Sequence, residues 1–192
     1  RPVVIVRLVP DAVSVVENRC AHRGVKFCPD RKGHVKDLLC TYHQWNYSLR
    51  GDLQGAPFRR GVRGQGGMPA DFDPKDHSLR KLRVEVVNGL VWATFSDDTP
   101  PFREYLGERF WQHYTRVYNG RKLEVLGYNR QHIPGNWKLM QENIKDPYHA
   151  SLLHVFFVTF GLFRADQKSA TEVDPTGRHG ILISRTGKQE VN

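Results

Sequence analysis

The chain opens with a run of β-branched and aliphatic residues, Val3 to Val9, followed after Pro10-Asp11 by a second run, Ala12 to Val16. Short apolar runs rich in Val and Ile, bounded by turn residues, read as paired strands. Leu82 to Val87 and Leu90 to Phe95 repeat the arrangement around Asn88-Gly89. Asn-Gly between two such runs is the strongest short hairpin signal, because both central residues of the tight turn need positive φ. Leu49 to Gly55 and the glycine-rich Gly61 to Gly67 show turn chemistry without a hydrophobic period and read as loops. The pattern changes at Asp97-Asp98-Thr99-Pro100-Pro101, where Thr99 as cap and Pro100 at the first helical position predict a short helix. Lys122 to Ile133 reads as a strand. Pro134-Gly135 then turns into a segment capped by Asn136 with apolar residues at 137, 140 and 144, the spacing of a helix. The expected fold class is α+β, with an antiparallel β domain over residues 1–98 and a second, α+β domain over residues 99–192.

Composition narrows the class without naming a function. With 192 residues, 39 % hydrophobic and 26 % charged, the chain is an ordinary globular one and disorder is excluded. No apolar run approaches the roughly eighteen residues of a membrane helix, and the first residues lack a signal-peptide layout, so neither a span nor an export address is expected. The chain begins inside an apparent strand without an initiator Met, so a missing N-terminal segment is expected. A net charge of +9 raises nucleic acid as a partner, yet Arg59-Arg60, Arg63, Arg80-Lys81 and Arg121-Lys122 are scattered singles and pairs. They form no basic helix and no interleaved aromatic platform. A solvated surface is favoured over a docking face for an acidic electron-donor protein. The glycine-rich stretch has no strand before it and no helix after it, which argues against a phosphate-binding loop.

Candidate chemistry is concentrated in two places. Cys20-Ala-His22 and Cys40-Thr-Tyr-His43 each offer one thiolate and one imidazole, separated by seventeen residues. Two Cys on one iron and two His on the other is the ligand set of a Rieske [2Fe-2S] cluster, an electron-transfer group of moderate potential. Tetrahedral zinc is the alternative, although zinc modules more often segregate Cys pairs from His pairs. Cys28 is left over and is expected to be a small buried hydrophobe. One unassigned Cys cannot form an internal disulfide, so a reducing, cytoplasmic compartment is the simplest reading.

The second place is Asp146-Pro147-Tyr148-His149-Ala150-Ser151-Leu152-Leu153-His154. A ferrous site that activates dioxygen takes two imidazoles and a carboxylate on one face, and His149 and His154 are the candidate imidazoles. On a straight helix a separation of five turns two side chains about 140° apart. They converge only where the helix is distorted or ends between them. Taken alone, two His beside a Leu-Leu-His-Val-Phe-Phe run are more often core histidines.

The strings Cys20-x-His22-Arg23-Gly24 and Cys40-x-Tyr42-His43-x-Trp45-x-Tyr47 resemble the Rieske domain of ring-hydroxylating oxygenases. One departure is Gln44, where most of that family has Gly directly after the ligand His, so a side chain has to fit into that turn. Asn136-Trp-Lys-Leu followed by Glu142-Asn143, Asp146, Tyr148-His149 and His154 resembles the same family's mononuclear-iron motif. The strings Tyr42-His-Gln-Trp-Asn-Tyr, Gly51-Asp-Leu-Gln-Gly and Ile133-Pro-Gly-Asn-Trp-Lys-Leu look most like large, or alpha, subunits of the salicylate, anthranilate and terephthalate hydroxylating group. The resemblance runs from the first strand to about Phe163, and the last thirty residues carry no placed motif.

The resemblance implies an antiparallel β Rieske domain followed by a helix-grip-like catalytic domain, and a multicomponent dioxygenase or monooxygenase that hydroxylates an aromatic carboxylate with O2. It implies Cys20, His22, Cys40 and His43 on a [2Fe-2S] cluster, and His149 and His154 on non-haem Fe(II). The family's third iron ligand is an Asp from a later segment. Asp166, Glu172, Asp174 and Glu190 lack its context and are expected on the surface, which makes the chain an internal fragment. Electrons are expected from NAD(P)H through a separate reductase, directly or through a ferredoxin. Asp146 is similar to the carboxylate that bridges the two centres by accepting a hydrogen bond from a neighbouring subunit's cluster His, here matched to His43. A homo-oligomer follows, a trimer of large subunits with or without a small beta subunit. Asn143 and Ile144 are expected to line the substrate pocket. No nucleic acid or membrane partner is expected. The rival readings are a Rieske ferredoxin-like electron carrier and a zinc-stabilised binding module.

Overall fold

The Val-rich runs at the start of the chain pair as their composition predicts. In the computed structural model, which describes residues 1–10, 12–162 and 168–185 and the side chains of all of these but Ser151, β1 (Val3–Val9) and β2 (Ala12–Glu17) form an antiparallel pair. Val4 faces Val16 and Ile5 faces Val15, and a register shift between Arg7 and Val9 leads into the turn. Val15 and Val16 are both buried, so β2 is covered on both faces. Its free edge is met by the segment at Arg80 to Leu82: Glu17 N–H donates to Arg80 O at 2.9 Å and Leu82 N–H to Val15 O at 2.9 Å.

Three short strands, β3 (Leu38–Leu39), β4 (Asn46–Tyr47) and β5 (Leu53–Gly55), form a second antiparallel sheet in that order. Residues 53–55 are thus paired where the sequence reads a loop; a strand of this length carries no alternation to detect. The Asn88-Gly89 hairpin forms as predicted, with β6 (Arg83–Val87) paired to β7 (Leu90–Thr94) and Val87 opposite Leu90. Asn88 (φ 52°) and Gly89 (φ 80°) both lie in the left-handed region that this turn demands.

The chain divides into two compact units, Arg1–Tyr105 and Leu106–Asn192. The core of the first gathers Val16, Phe27, Leu38, Trp45, Tyr47, Leu53 and Leu79 around Cys20 and Cys40, so both candidate thiolates are themselves core residues. One buried polar side chain shapes this core. Asn18, 3 % exposed, donates from Nδ2 to Cys28 O at 2.7 Å and accepts at Oδ1 from Cys28 N at 3.0 Å. This two-point clamp ties the segment after the first ligand pair to the end of β2.

Helix α1 (Phe102–Tyr118) follows the hairpin and is broken at Gly107, whose φ of 72° and ψ of 157° are not helical. The first turn is capped from a distance rather than by Thr99. Phe102 N–H donates to Glu85 Oε1 at 2.9 Å, and Thr99 Oγ1 instead meets Thr94 Oγ1 at 3.0 Å.

The second unit contains α2 (Trp137–Lys145), capped as predicted by Asn136, whose Oδ1 accepts from Lys138 N at 3.0 Å. Two short helices follow, α3 (Ala150–Leu153) and α4 (Val155–Thr159). A hairpin of β8 (Lys168–Val173) and β9 (Gly180–Arg185) closes the described chain and had no sequence signal assigned to it. Thr171 Oγ1 donates to Lys145 O at 3.0 Å, so β8 satisfies a carbonyl at the end of α2. Lys122 to Ile133, expected as a strand, finds no ladder partner among the described residues and is not one. Its apolar side chains face solvent, Leu126 being 93 % exposed. Apolar periodicity alone does not make a strand where the neighbouring strand is missing.

Replacing Asn18 by Leu leaves the Cys28 amide and carbonyl without partners. The expected cost is about 1–3 kcal/mol in chemical denaturation. An unchanged midpoint would show that the clamp contributes nothing.

Candidate metal centres

The two Cys–His strings fold into matching turns. Cys20 N–H donates to Val25 O at 2.9 Å while Gly24 N–H donates to Cys20 O at 2.8 Å; Cys40 N–H donates to Trp45 O at 2.9 Å while Gln44 N–H donates to Cys40 O at 2.9 Å. Each turn therefore closes on itself twice, with the Cys at its base. The fifth residue of each is left-handed: Gly24 at φ 70° and Gln44 at φ 56°. A side chain does fit at Gln44, because it points into solvent, but an L-residue in this region carries a cost of about 1–2 kcal/mol.

The turns place the four donors in two layers. Cys20 and Cys40 are 4 % and 1 % exposed, whereas His22 and His43 are exposed with ring centroids 4.6 Å apart. A thiolate pair inside and an imidazole pair outside fits a two-iron group in which each iron takes one pair. Zinc requires its donors on one centre. Among the described residues no three His, Cys, Asp or Glu side chains converge on a single ion position. Partial desolvation, followed by repulsion from His43 and Arg23, holds the His22 imidazole below its ordinary pKa, which favours the neutral, ligating form.

Two aromatic residues of the second turn brace the first. The Trp45 indole lies parallel to the His22 ring, 4.8 Å between centroids at 9°, while its carbonyl closes the Cys40 turn. Tyr47 is fully buried; its hydroxyl lies 3.2 Å from Cys20 Sγ and accepts from Ala21 N at 3.1 Å. Burial, then the Cys20 contact, raises the phenol pKa far above its ordinary value, so the O–H remains a donor. Tyr42 covers His43 at 3.8 Å. In the sequence these aromatics are letters of the motif, and nothing in their spacing announces that they reach back to the first turn.

The other constellation is built at the end of α2. Asp146 caps that helix, and its carboxylate accepts from Tyr148 N at 2.8 Å through Oδ1 and faces His149 Nδ1 at 3.1 Å through Oδ2. The backbone N–H of Tyr148, and then His149, hold the carboxyl below the usual carboxylate range. An ionised Asp146 on Nδ1 fixes the proton there and leaves Nε2 of His149 free as a donor to a metal. Helix α3 ends after four residues at His154 (φ −100°, ψ 58°), and α4 starts afresh. That break turns the second imidazole towards the first. His149 Nε2 and His154 Nε2 lie 3.3 Å apart. Two nitrogens about 2.1 Å from one metal at a near-right angle are separated by about 3 Å, so the pair fits a shared ion.

Asn143 and Ile144 stand on the last turn of α2, separated from Asp146 by Lys145, with Ile144 51 % exposed. Glu172 is held by Arg109 through contacts of 2.8 and 2.6 Å, and Asp174 accepts from Thr176 N and His179 N within its own turn. Asp166 and Glu190 lie outside the described residues. Cys28 is half-buried and unpaired as a disulfide, its Sγ 3.8 Å from Asp30 O.

Replacing Gln44 by Gly relieves the left-handed strain in the second turn. The expected gain, net of glycine's greater chain entropy, is about 0.5–1 kcal/mol in the denaturation midpoint of the metal-free protein. A loss of stability would mean that the Gln44 side chain contributes more than its backbone costs.

Residues 1–65 match the family model for the Rieske [2Fe-2S] domain. Salicylate 5-hydroxylase, large oxygenase component, of Ralstonia sp is 56 % identical over 192 residues, which covers 98 % of this chain and 45 % of that protein. The anthranilate 1,2-dioxygenase large subunit of Burkholderia cepacia is 48 % identical, covering 97 % of this chain and 44 % of that protein. The solved structure of naphthalene 1,2-dioxygenase with indole bound in the active site is 28 % identical with a TM-score of 0.69, over 83 % of this chain and 35 % of that one. The chain spans a little under half the length of the curated relatives it matches. Residues 1–65 thus carry a Rieske [2Fe-2S] domain, and along nearly all of its length the chain is similar to Rieske oxygenase large subunits.

Proposed function

We propose that the chain serves in the terminal oxygenase large subunit of a multicomponent dioxygenase that hydroxylates an aromatic carboxylate with O2 and electrons from NAD(P)H, passed on by a reductase or ferredoxin. The observation that carries this reading is the coexistence of two donor sets in one chain. One is two buried thiols beneath two exposed imidazoles; the other is two imidazoles whose Nε2 atoms face each other at 3.3 Å beside an ionised carboxylate. An electron carrier needs only the first, and would leave the Asp146–His149–His154 arrangement without a role. The substrate class rests on the relatives named for salicylate, anthranilate and terephthalate, each an aromatic carboxylate.

When bound, a [2Fe-2S] group on Cys20, His22, Cys40 and His43 supplies one-electron transfer, and Fe(II) on His149 and His154 supplies dioxygen activation. The chain's own residues set the conditions. Tyr47 donates its hydroxyl to Cys20 Sγ in the dry core, and Trp45 holds the His22 ring in one plane. Asp146 fixes the tautomer of His149. Its side chain is 46 % exposed and a carboxylate has lone pairs to spare, so it can also accept the ring N–H of His43 from a neighbouring subunit, as a homo-oligomer such as a trimer would supply. That bridge makes assembly part of electron delivery, with or without a small beta subunit. Asn143 and Ile144, on the last turn of α2 shortly before Asp146, are the residues we assign to substrate contact, a reading supported by their exposure beside it. Among the described residues no helix is long and apolar enough to cross a membrane. A cytoplasmic setting, where thiols stay reduced, suits three cysteines of which none pairs with another.

The iron reading is tested with nitric oxide, which gives ferrous iron a distinctive paramagnetic spectrum. His149→Ala and His154→Ala are expected to lose that spectrum while the signal of the reduced cluster persists; loss of the cluster instead would merge the two sites. Asp146→Asn should keep both signals yet uncouple cluster oxidation from product formation in the assembled oxygenase, and unchanged turnover would remove the bridge. Tyr47→Phe deletes the hydroxyl 3.2 Å from Cys20 Sγ, and a hydrogen bond to that ligand sulfur favours the more negative reduced state. The potential should therefore fall, by about 40 mV for a bond worth about 1 kcal/mol. An unchanged potential would show that the phenol acts only in packing.

A further inference from the structure

We propose that the arginine loop between β5 and Asp73, residues 56–68, is the docking surface for an acidic one-electron donor protein, joined to His22 by a ladder of stacked rings. The proposal rests on the reading that His22 holds a redox cluster. Between Gln54 and Ala70 the sequence has three arginines and no acidic residue. Arg59, Arg60 and Arg63 are all exposed, and among the described residues no carboxylate pairs with them. The loop has a fixed shape. Met68 N–H donates to Arg59 O at 2.9 Å, Gly61 N–H to Phe58 O at 2.9 Å, and Val62 and Gln65 exchange bonds of 2.9 and 3.0 Å. Three unneutralised guanidinium groups on a rigid loop are a face for carboxylates, presented at little entropic cost on binding.

What singles this loop out from the other basic positions is its inner side. The Arg59 guanidinium lies over the Phe72 ring at 5.6 Å. Phe72 stacks on His77 at 4.5 Å and 10°, and both meet the Trp45 indole edge-on, at 6.1 and 5.8 Å. Trp45 is in turn parallel to the ligand His22 at 4.8 Å. Ring contact is thus unbroken from the arginine loop to a cluster ligand. Electron tunnelling weakens steeply across gaps, and packed rings keep the path free of them. The transfer moves a single electron: the reduced donor is oxidised by one, the cluster is reduced by one, and no bond or proton is exchanged. A nucleic acid also meets arginines, but it has no use for a ring path leading to an imidazole ligand.

The test uses a reduced acidic plant-type ferredoxin as the probe and the full chain loaded with its cluster. Binding is read by interferometry against the oxidised ferredoxin, and transfer by stopped flow. Wild type is expected to bind and be reduced with a rate constant that falls as salt is raised. In R59E/R60E/R63E both binding and rate should fall by about tenfold or more, with reduction by dithionite and the cluster spectrum unchanged. In His77→Leu and Phe72→Leu, binding should persist while transfer within the complex slows. Equal binding by the triple variant would overturn the docking surface, and unchanged transfer in both ring variants would overturn the ladder. A single-stranded oligonucleotide that competes with ferredoxin and binds more tightly through the same arginines would also overturn it. Failure of the cluster reading is separately visible, as the absence of a Rieske-type spectrum in wild type.

Discussion

Tyr47 is wholly buried, and its hydroxyl meets Cys20 Sγ at 3.2 Å and Ala21 N at 3.1 Å. The two ligand turns belong to different stretches of the chain and have no covalent link, so their spacing depends on contacts of this kind. Tyr47 supplies one and the Trp45 indole on His22 supplies another, both from the second turn to the first. Because the same residues fill the core with Phe27, Leu38 and Leu79, the packing that stabilises the first unit is also what sets the geometry of the donors. Burial and ligation are here a single problem: the thiols must be dry and the imidazoles wet, and a pair of closed turns at the edge of a small core satisfies both.

The second constellation solves a different geometric problem. Five residues separate His149 from His154, and a continuous helix would send their side chains apart. The chain ends one helix and starts another at His154, and the two Nε2 atoms come to 3.3 Å. Asp146 then selects which nitrogen of His149 is free. Its place at the end of α2 is secured from behind, by Thr171 of β8 bonded to the Lys145 carbonyl. Positioning thus passes from the β8–β9 hairpin to the helix end, from there to the carboxylate, and finally to the imidazole.

Much of this was legible because the chemistry is local. Cys-x-His and Cys-x-x-His need only short turns, Asn136 caps the helix that follows it, and Asn88-Gly89 makes a hairpin without outside help. The failures are all non-local. Glu85 caps α1 from seventeen residues away, where Thr99 looked sufficient. Tyr47 reaches Cys20 across twenty-seven residues, and no spacing rule announces that. Lys122 to Ile133 has the composition of a strand, but a strand exists only as half of a pair. The break at His154 carries no proline or glycine to signal it; only the requirement that two imidazoles meet pointed there. Gln44 shows the converse: a family glycine can be replaced where the side chain has solvent to enter, at a cost in backbone strain.

The central proposal is that two buried thiols and two exposed imidazoles hold a two-iron cluster and that His149 and His154 serve a second iron. Iron, zinc and acid-labile sulfide content of anaerobically purified protein, with the low-temperature paramagnetic spectrum after dithionite reduction, tests it most directly. The account predicts about two irons and two sulfides with a Rieske-type signal, and further iron that disappears in His149→Ala. Zinc bound without sulfide would contradict it and leave a structural metal module.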